Sequence, residues 1–300
     1  MPTNLDGLDI IQGDALAELR RLPKGCVHCC VTSPPYWNLR DYGVDGQIGL
    51  EPTPDAYVST IADVFREVRR VLAKDGTLWL NLGDSYSAGT DDAVSNRRDR
   101  TLCCVPRLHG KNAGLPPKNL MGMPWRVAFA LQADGWTLRR DIIWHKPNAM
   151  PETVKDRPTC AHEYLFLFSK SRRYYYDGEA IKTAKSPNAH NGYQPDRANA
   201  RTVWSIPTRP YAEAHFATFP EDLVAPCILA GCPPGGTVLD PFMGAGTTPL
   251  VALKTGRGVI GIEINPEYIA LARKRLEPIL TQPDCVNALS AKIEDHLSGE

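Results

Sequence analysis

Two consecutive prolines, Pro34 and Pro35, constrain this chain more than any other local feature. They follow Val27-His28-Cys29-Cys30-Val31-Thr32, a run of β-branched and small residues that reads as a short buried strand. Neither proline can donate a ladder hydrogen bond and each fixes its own φ, so the strand must stop at Ser33. Just past a strand's carboxyl end is where open α/β sheets bind ligands. The stiff corner Ser33-Pro34-Pro35-Tyr36-Trp37 offers a hydroxyl, free carbonyls and two aromatic faces. That equipment suits a flat, hydrogen-bonding molecule such as a nucleobase.

A second constraint lies about two hundred residues on. Thr237-Val238-Leu239 predicts a strand, residues 249–255 a helix and residues 258–262 another strand, which makes one βαβ unit. Gly244-Ala245-Gly246 falls at its first turn, where glycine lets the backbone bend tightly and approach a ligand. Glu263 follows about twenty positions later, where a carboxylate meets ribose hydroxyls in nucleotide-binding units. The third glycine of the dinucleotide fingerprint is missing, with Thr248-Pro249 in its place. A cofactor with an adenosine and no phosphates fits this turn better than a pyrophosphate.

Around these two units the periodicity alternates. Strands are expected at 8–12, 77–82, 136–145 and 163–168, and helices at 15–22, 57–73, 124–132, 223–230 and 266–276. The pattern predicts a mostly parallel, doubly wound α/β sheet, with strands at 141–144 and 163–168 paired as an antiparallel hairpin at its edge. Asp14 either N-caps the first helix or accepts a bond from a ligand amine. The polar loop 38–54 has the length of a lid. Segments 87–119 and 177–206 are irregular, polar and inserted between core elements.

Three hundred residues suit a single α/β domain with insertions, here residues 1–300. No stretch approaches the apolar length of a membrane span, and the first residues carry no signal-peptide pattern, so a cytoplasmic protein is expected. Nine scattered cysteines make neither a disulfide framework nor a paired zinc motif, and no metal site is expected. Net charge is zero, yet Lys and Arg crowd between Arg97 and Lys146. Such a cluster suits either a solvated surface or a phosphate-tracking groove.

Asp240-Pro-Phe-Met-Gly-Ala-Gly-Thr-Thr, taken with Thr32-Ser-Pro-Pro-Tyr-Trp, resembles the DNA amino-methyltransferases that use S-adenosylmethionine. The corner precedes the glycine turn, an order that resembles the permuted β group, and the likeness covers roughly residues 8–276. It implies a Rossmann-like methyltransferase fold, a double-stranded DNA substrate and S-adenosyl-L-methionine as cofactor. Ser33, Pro34, Pro35 and Tyr36 would form the target-base site. Asp240, Phe242, Gly244 and Gly246 would line the methionine and sulfonium side; Thr247 and Thr248 would reach its carboxylate, as would Thr218 in the segment that ends Thr218-Phe219-Pro220. Glu263 would hold the ribose hydroxyls, Ile264 the adenine face, and Asp14 the adenine amine. Trp37, Arg40, Lys118, Lys146, Arg172 and Arg173 are the expected DNA contacts, with 87–119 and 177–206 reading the target sequence.

Within that family Ser-Pro-Pro-Tyr is similar to the pattern of N4-cytosine enzymes, whereas adenine enzymes usually carry Asp or Asn first. The expected activity is therefore site-specific N4 methylation of cytosine, with direct attack by a flipped base. N6-adenine methylation is the alternative, followed by an RNA or small-molecule substrate and by a module that binds DNA without modifying it. A companion restriction endonuclease and a homodimer are both compatible with the resemblance. Pro226-Cys227, in or beside a predicted helix, reads as structural.

Overall fold

A computed structural model describes residues 7–87, 114–184, 197–209 and 219–281. In chain order the elements are β1 (Leu8–Gln12), α1 (Ala15–Arg21), β2 (Val27–Thr32), α2 (Pro54–Val71), β3 (Leu72–Leu82) and α3 (Met123–Ala133). They continue with β4 (Thr137–His145), β5 (His162–Ser169), β6 (Thr183–Ala184), β7 (Arg197–Ala198) and β8 (Val203–Ser205). The last are α4 (Glu221–Gly231), β9 (Thr237–Asp240), α5 (Thr247–Lys254), β10 (Gly258–Glu263) and α6 (Pro266–Leu280).

Eight strands form one sheet in the order β1-β10-β9-β2-β3-β5-β4-β8. All run the same way except β5, which is antiparallel to both β3 and β4. An inner pair, β9 and β2, comes from opposite halves of the chain. From it, the path through α2 leads to β3 on one side, and the path through α5 leads to β10 on the other. Loops leaving β2 and β9 therefore diverge and open a crevice, as at the switch point of doubly wound sheets.

Strand alternation sorts the core onto two faces. Cys30, Leu78, Leu80, Phe166 and Phe168 pack with residues of α1, α2 and α3. Cys29, Val31, Trp79, Leu165 and Leu167 point the other way, onto α4 and α5. α2 shows how the sequence builds a layer. Thr53 caps it by accepting from Ala56 N–H at 3.1 Å, Pro54 starts it, and Tyr57, Ile61, Phe65 and Val68 form its buried stripe. In α4, Gly231 sits so close to Trp79 that a Cβ there would lie 2.3 Å from the indole nitrogen. Cys227, inside α4, is buried and donates to the Leu223 carbonyl, with burial pushing its thiol well up.

Three features differ from the sequence reading. β3 begins at Leu72, directly after α2, because Val27 already pairs with Leu72 before a register shift. The β4–β5 hairpin forms but is not the edge, since β8, from the segment read as irregular, pairs in parallel outside β4. That segment also contributes the small β6–β7 ribbon. Most of the proposed reading loops, together with Thr218, lie outside the described residues. Among the described residues no helix is long and apolar enough to cross a membrane, and no cluster of His, Cys, Asp or Glu could hold a metal.

Candidate active site

One cleft runs along the carboxyl ends of the parallel strands. It is lined by Gly13 and Asp14 after β1, Ser33 to Tyr36 after β2, Pro241 to Ala245 after β9, and Ile264 and Asn265 after β10. Asn81 of β3, Trp144 of β4, Lys146, and Glu163 at the start of the reversed β5 complete its other half.

In the β9–β10 half the backbone turns through two left-handed glycines, Gly244 at φ +53° and Gly246 at φ +79°. A Cβ at Gly244 would meet no atom beyond its chain neighbours within 4 Å, so its absence keeps space open. At Gly246 the Cβ would press to 3.0 Å from Ala272 Cβ, so that glycine serves helix packing. Glu263 is nearly buried and takes two backbone bonds. Gly244 N–H donates to Oε2 and Asn265 N–H to Oε1, each at 2.8 Å. Burial raises its carboxyl and those amides partly offset the rise. The carboxylate thus shapes the glycine turn and still lines the cleft.

Several expected cofactor residues are placed differently. Asp240 is fully buried beneath the cleft, where its Oδ1 accepts from Thr32 Oγ1 at 2.6 Å and from Phe242 N–H at 3.1 Å. Burial lifts its carboxyl to about 6, against the lowering effect of the Thr32 hydroxyl. Thr248 is also buried and donates to the Val31 carbonyl at 3.3 Å. Asp240, Gly246 and Thr248 therefore support the cleft from below. Phe219, Phe242, Gly244, Thr247, Glu263 and Ile264 line it. Thr247 Oγ1 accepts from Arg275 at 2.9 Å. Asp14 caps α1, its Oδ1 accepting from Ala17 N–H at 2.8 Å, and the residue also lines the cleft.

The proline corner is fastened from two sides. Tyr57 donates its hydroxyl proton to the Pro35 carbonyl at 2.8 Å. Tyr36 lies over Gly83, where a Cβ would come to 2.6 Å from the ring. The Tyr36 hydroxyl accepts from Ser33 Oγ at 3.2 Å and has two acceptors in reach, Glu163 Oε2 at 2.8 Å and Asn81 Oδ1 at 3.1 Å. Asn81 donates its amide to the same Glu163 oxygen at 3.1 Å and to the Tyr164 carbonyl at 3.1 Å. Lys146 Nζ pairs with Glu163 Oε1 and stands 4.4 Å from the Trp144 ring centroid. Burial and the Glu163 charge push the Tyr36 hydroxyl well above the ordinary phenol range.

The loop after the corner folds back over the cleft. Asn38 N–H donates to the Gly49 carbonyl at 2.8 Å, and Leu39, Arg40, Tyr42, Gln47 and Ile48 face inward. Tyr42 meets Tyr268 of α6 edge-on, with centroids 6.4 Å apart. Trp37 is not available to DNA: it is buried in the core and donates to the Glu51 carbonyl at 3.0 Å. Arg172 and Arg173 lie at the far end of the sheet, because β5 runs backwards and Ser169 pairs with Thr77 at the other end of β3. Lys118 is exposed, outside the cleft lining, and paired with Asp156 at 2.7 Å. Arg40 and Lys146 line the cleft itself. Sequence reading missed Asn81, Glu163, Tyr42 and Tyr268. The expected antiparallel hairpin would have pointed to Glu163 once its second strand was taken as the reversed one.

The donor set fits an adenosine-bearing cofactor: a carboxylate beside an open glycine turn, apolar Phe242 and Ile264, and the capping carboxylate of Asp14. Comparison with known proteins agrees. The N6/N4-type DNA methylase family model matches residues 27–274. The Type II methyltransferase M.Cfr9I of Citrobacter freundii is 51% identical over 276 residues, 92% of this chain and 90% of that protein. The solved PvuII DNA methyltransferase (cytosine-N4-specific) superposes with a TM-score of 0.65 at 21% identity, covering 95% of each chain. The Thermus thermophilus protein TTHA0409, complexed with S-adenosyl-L-methionine, gives 0.58 at 25% identity, covering 91% of this chain and 94% of that one. By the extent of the family match and by its identity to M.Cfr9I, this chain belongs to the DNA methylase family of amino-methyltransferases.

Proposed function

We infer that this site-specific DNA methyltransferase methylates the exocyclic N4 amine of cytosine in duplex DNA. The observation that carries the reading is Ser33, a neutral hydroxyl at the mouth of the proline corner, facing the same cleft as the Gly244–Glu263 turn. The cofactor is S-adenosylmethionine, which when bound supplies a methyl group on a positively charged sulfur. Glu263 takes the ribose hydroxyls, Ile264 packs on the adenine face, Asp14 accepts from its amine, Phe242 lines the sulfonium side, and Thr247 serves the carboxylate end.

An exocyclic amine on an aromatic ring is a poor nucleophile because its lone pair is delocalised. Ser33 Oγ and the Pro34 carbonyl accept from its two N–H groups, which draws the nitrogen toward tetrahedral and localises the pair. The corner's rigidity, set by Pro35 and Tyr57, holds both acceptors in place. A base inside a duplex cannot reach this cleft, so the target is flipped out and rests against Tyr36. The chain acts as one catalytic domain, and segments 87–119 and 177–206 read the sequence around the target. In keeping with the Type II designation of the Citrobacter freundii relative, the modification protects sites against a separately encoded endonuclease.

The test is incubation with labelled S-adenosylmethionine and mixed-sequence duplex DNA, followed by digestion to nucleosides and mass identification. N4-methylcytosine is expected. N6-methyladenine would reverse the base assignment while leaving the chemistry of the corner intact.

A further inference from the structure

The reaction leaves one proton to be removed, and the cleft contains a route for it. Ser33 Oγ donates to Tyr36 Oη at 3.2 Å, and Tyr36 Oη donates to Glu163 Oε2 at 2.8 Å. Asn81 Oδ1 also lies 3.1 Å from Tyr36 Oη, but an amide oxygen does not take up a proton, so the shorter bond to the carboxylate is the one that leads out from the corner. The other carboxylate oxygen is held by Lys146, so Oε2 is the one presented to the tyrosine. Asn81 donates to that same oxygen and so fixes it opposite the phenol. Glu163 keeps 18% of its side chain exposed, which gives a proton arriving there a way out to water.

We propose that Ser33, Tyr36 and Glu163 form a proton relay in which Glu163 is the terminal acceptor for the proton lost by the target amine. The inference rests on the reading of Ser33 as that amine's acceptor. As the nitrogen–carbon bond forms, positive charge develops on the amine nitrogen. One N–H bond breaks, and its electron pair stays on nitrogen and returns to conjugation with the ring. The departing proton goes to Ser33 Oγ, the Ser33 proton goes to Tyr36 Oη, and the Tyr36 proton goes to Glu163 Oε2. Serine and tyrosine each lose one proton and gain one, and the carboxylate becomes a carboxylic acid that returns its proton to water. No co-reactant is needed beyond the methyl donor of the established reaction. A nitrogen bearing this charge is a strong acid, because losing the proton restores conjugation, so a carboxylate is base enough to receive it.

The relay and a merely orienting contact make different demands on position 163. Glutamine keeps an oxygen that accepts from the Tyr36 hydroxyl but cannot take up the proton. The experiment measures single-turnover methyl transfer for the wild type, Glu163→Gln, Glu163→Ala and Tyr36→Phe. Equilibrium binding of S-adenosylmethionine and of DNA is measured separately, with thermal melting as a check on folding. All three variants are expected to slow transfer by about 10²-fold, with both affinities within about threefold of wild type. Glu163→Gln at the wild-type rate beside a slow Glu163→Ala would mean that the carboxylate only orients Tyr36, and would overturn the relay. Tyr36→Phe at the wild-type rate would overturn it as well, whatever the glutamate variants do. Ser33→Ala separates the relay from the role of Ser33 on which it rests. If it is slow while Glu163→Gln is not, the relay alone fails; if it transfers normally, the reading of Ser33 fails with it.

Discussion

Thr32 donates its hydroxyl proton to Asp240 at 2.6 Å, and this buried bond joins the strand that ends in the proline corner to the strand that ends in the glycine turn. The two residues are 208 positions apart, yet they stand next to each other because β2 and β9 pair inside the sheet. Each terminates in one half of the cleft, so the bond fixes the two halves against one another.

The Asp240 carboxyl makes that joint costly at neutral pH. Burial lifts it to about 6 from an unperturbed 3.8, so between those values the folded chain holds more proton than the unfolded one. Stability contributed at this site is therefore fully present below about 4 and falls as pH rises to about 6, by roughly 3 kcal/mol. Asp240→Asn stays neutral and keeps an oxygen for Thr32 and Phe242. It should match the wild type near the acid end and become more stable by up to that amount at pH 8. Urea denaturation across this range checks it. A constant gap between the two proteins would show that Asp240 does not titrate with folding.

Gly244→Val should separate cofactor binding from folding. The backbone there is left-handed, which costs a branched residue about 1–2 kcal/mol, and the side chain would project into open space in the cleft. Calorimetry should show S-adenosylmethionine affinity falling by at least about a hundredfold, while the melting temperature drops by only a few degrees. Unchanged affinity would place the cofactor elsewhere in the cleft.

Arg172→Ala and Arg173→Ala should leave DNA binding alone. Both lie at the opposite end of the sheet from Ser33 and Glu263, beyond Ser169. Affinity within about twofold of wild type, with the same salt dependence, is expected. Removing a charge that neutralises a phosphate would reduce the salt slope by about one, and such a change would mean that DNA wraps to the far end.

What the sequence showed and what it hid follow from how far each feature depends on distant residues. The unit from Thr237 to Glu263 was legible because strand, turn, helix and acid follow one another directly, and Gly244 and Glu263 meet within it. The proline corner was legible for the same local reason. Glu163 and the arginines after β5 were not, because the expected antiparallel hairpin did not say which of its two strands runs against the rest of the sheet. The reversal of β5 brings Glu163 to the cleft and carries Arg172 and Arg173 away from it. Trp37 looked accessible because it adjoins the corner, but the loop through Glu51 and Gly49 closes over it. The placement of Asp240 beneath the cleft follows from its pairing partner, which a local motif does not reveal.

Gly83→Ala should act on the corner without touching the cofactor turn. A Cβ at this position would come to 2.6 Å from Tyr36 Cε2, far inside contact distance, and the ring is held by its hydroxyl bonds to Ser33 and Glu163. The ring must therefore shift, and the hydroxyl cannot keep both partners when it does. Because Gly83 follows β3 on the far side of β2 from β9, the Gly244–Glu263 half should be undisturbed. Single-turnover methyl transfer should fall by about tenfold or more, while S-adenosylmethionine affinity stays within about twofold. If both fell together, the corner and the glycine turn would be mechanically coupled through the Thr32–Asp240 bond, and Thr32→Val should then reproduce the effect. If neither fell, Tyr36 would tolerate displacement, and its ring position would not matter to the target amine.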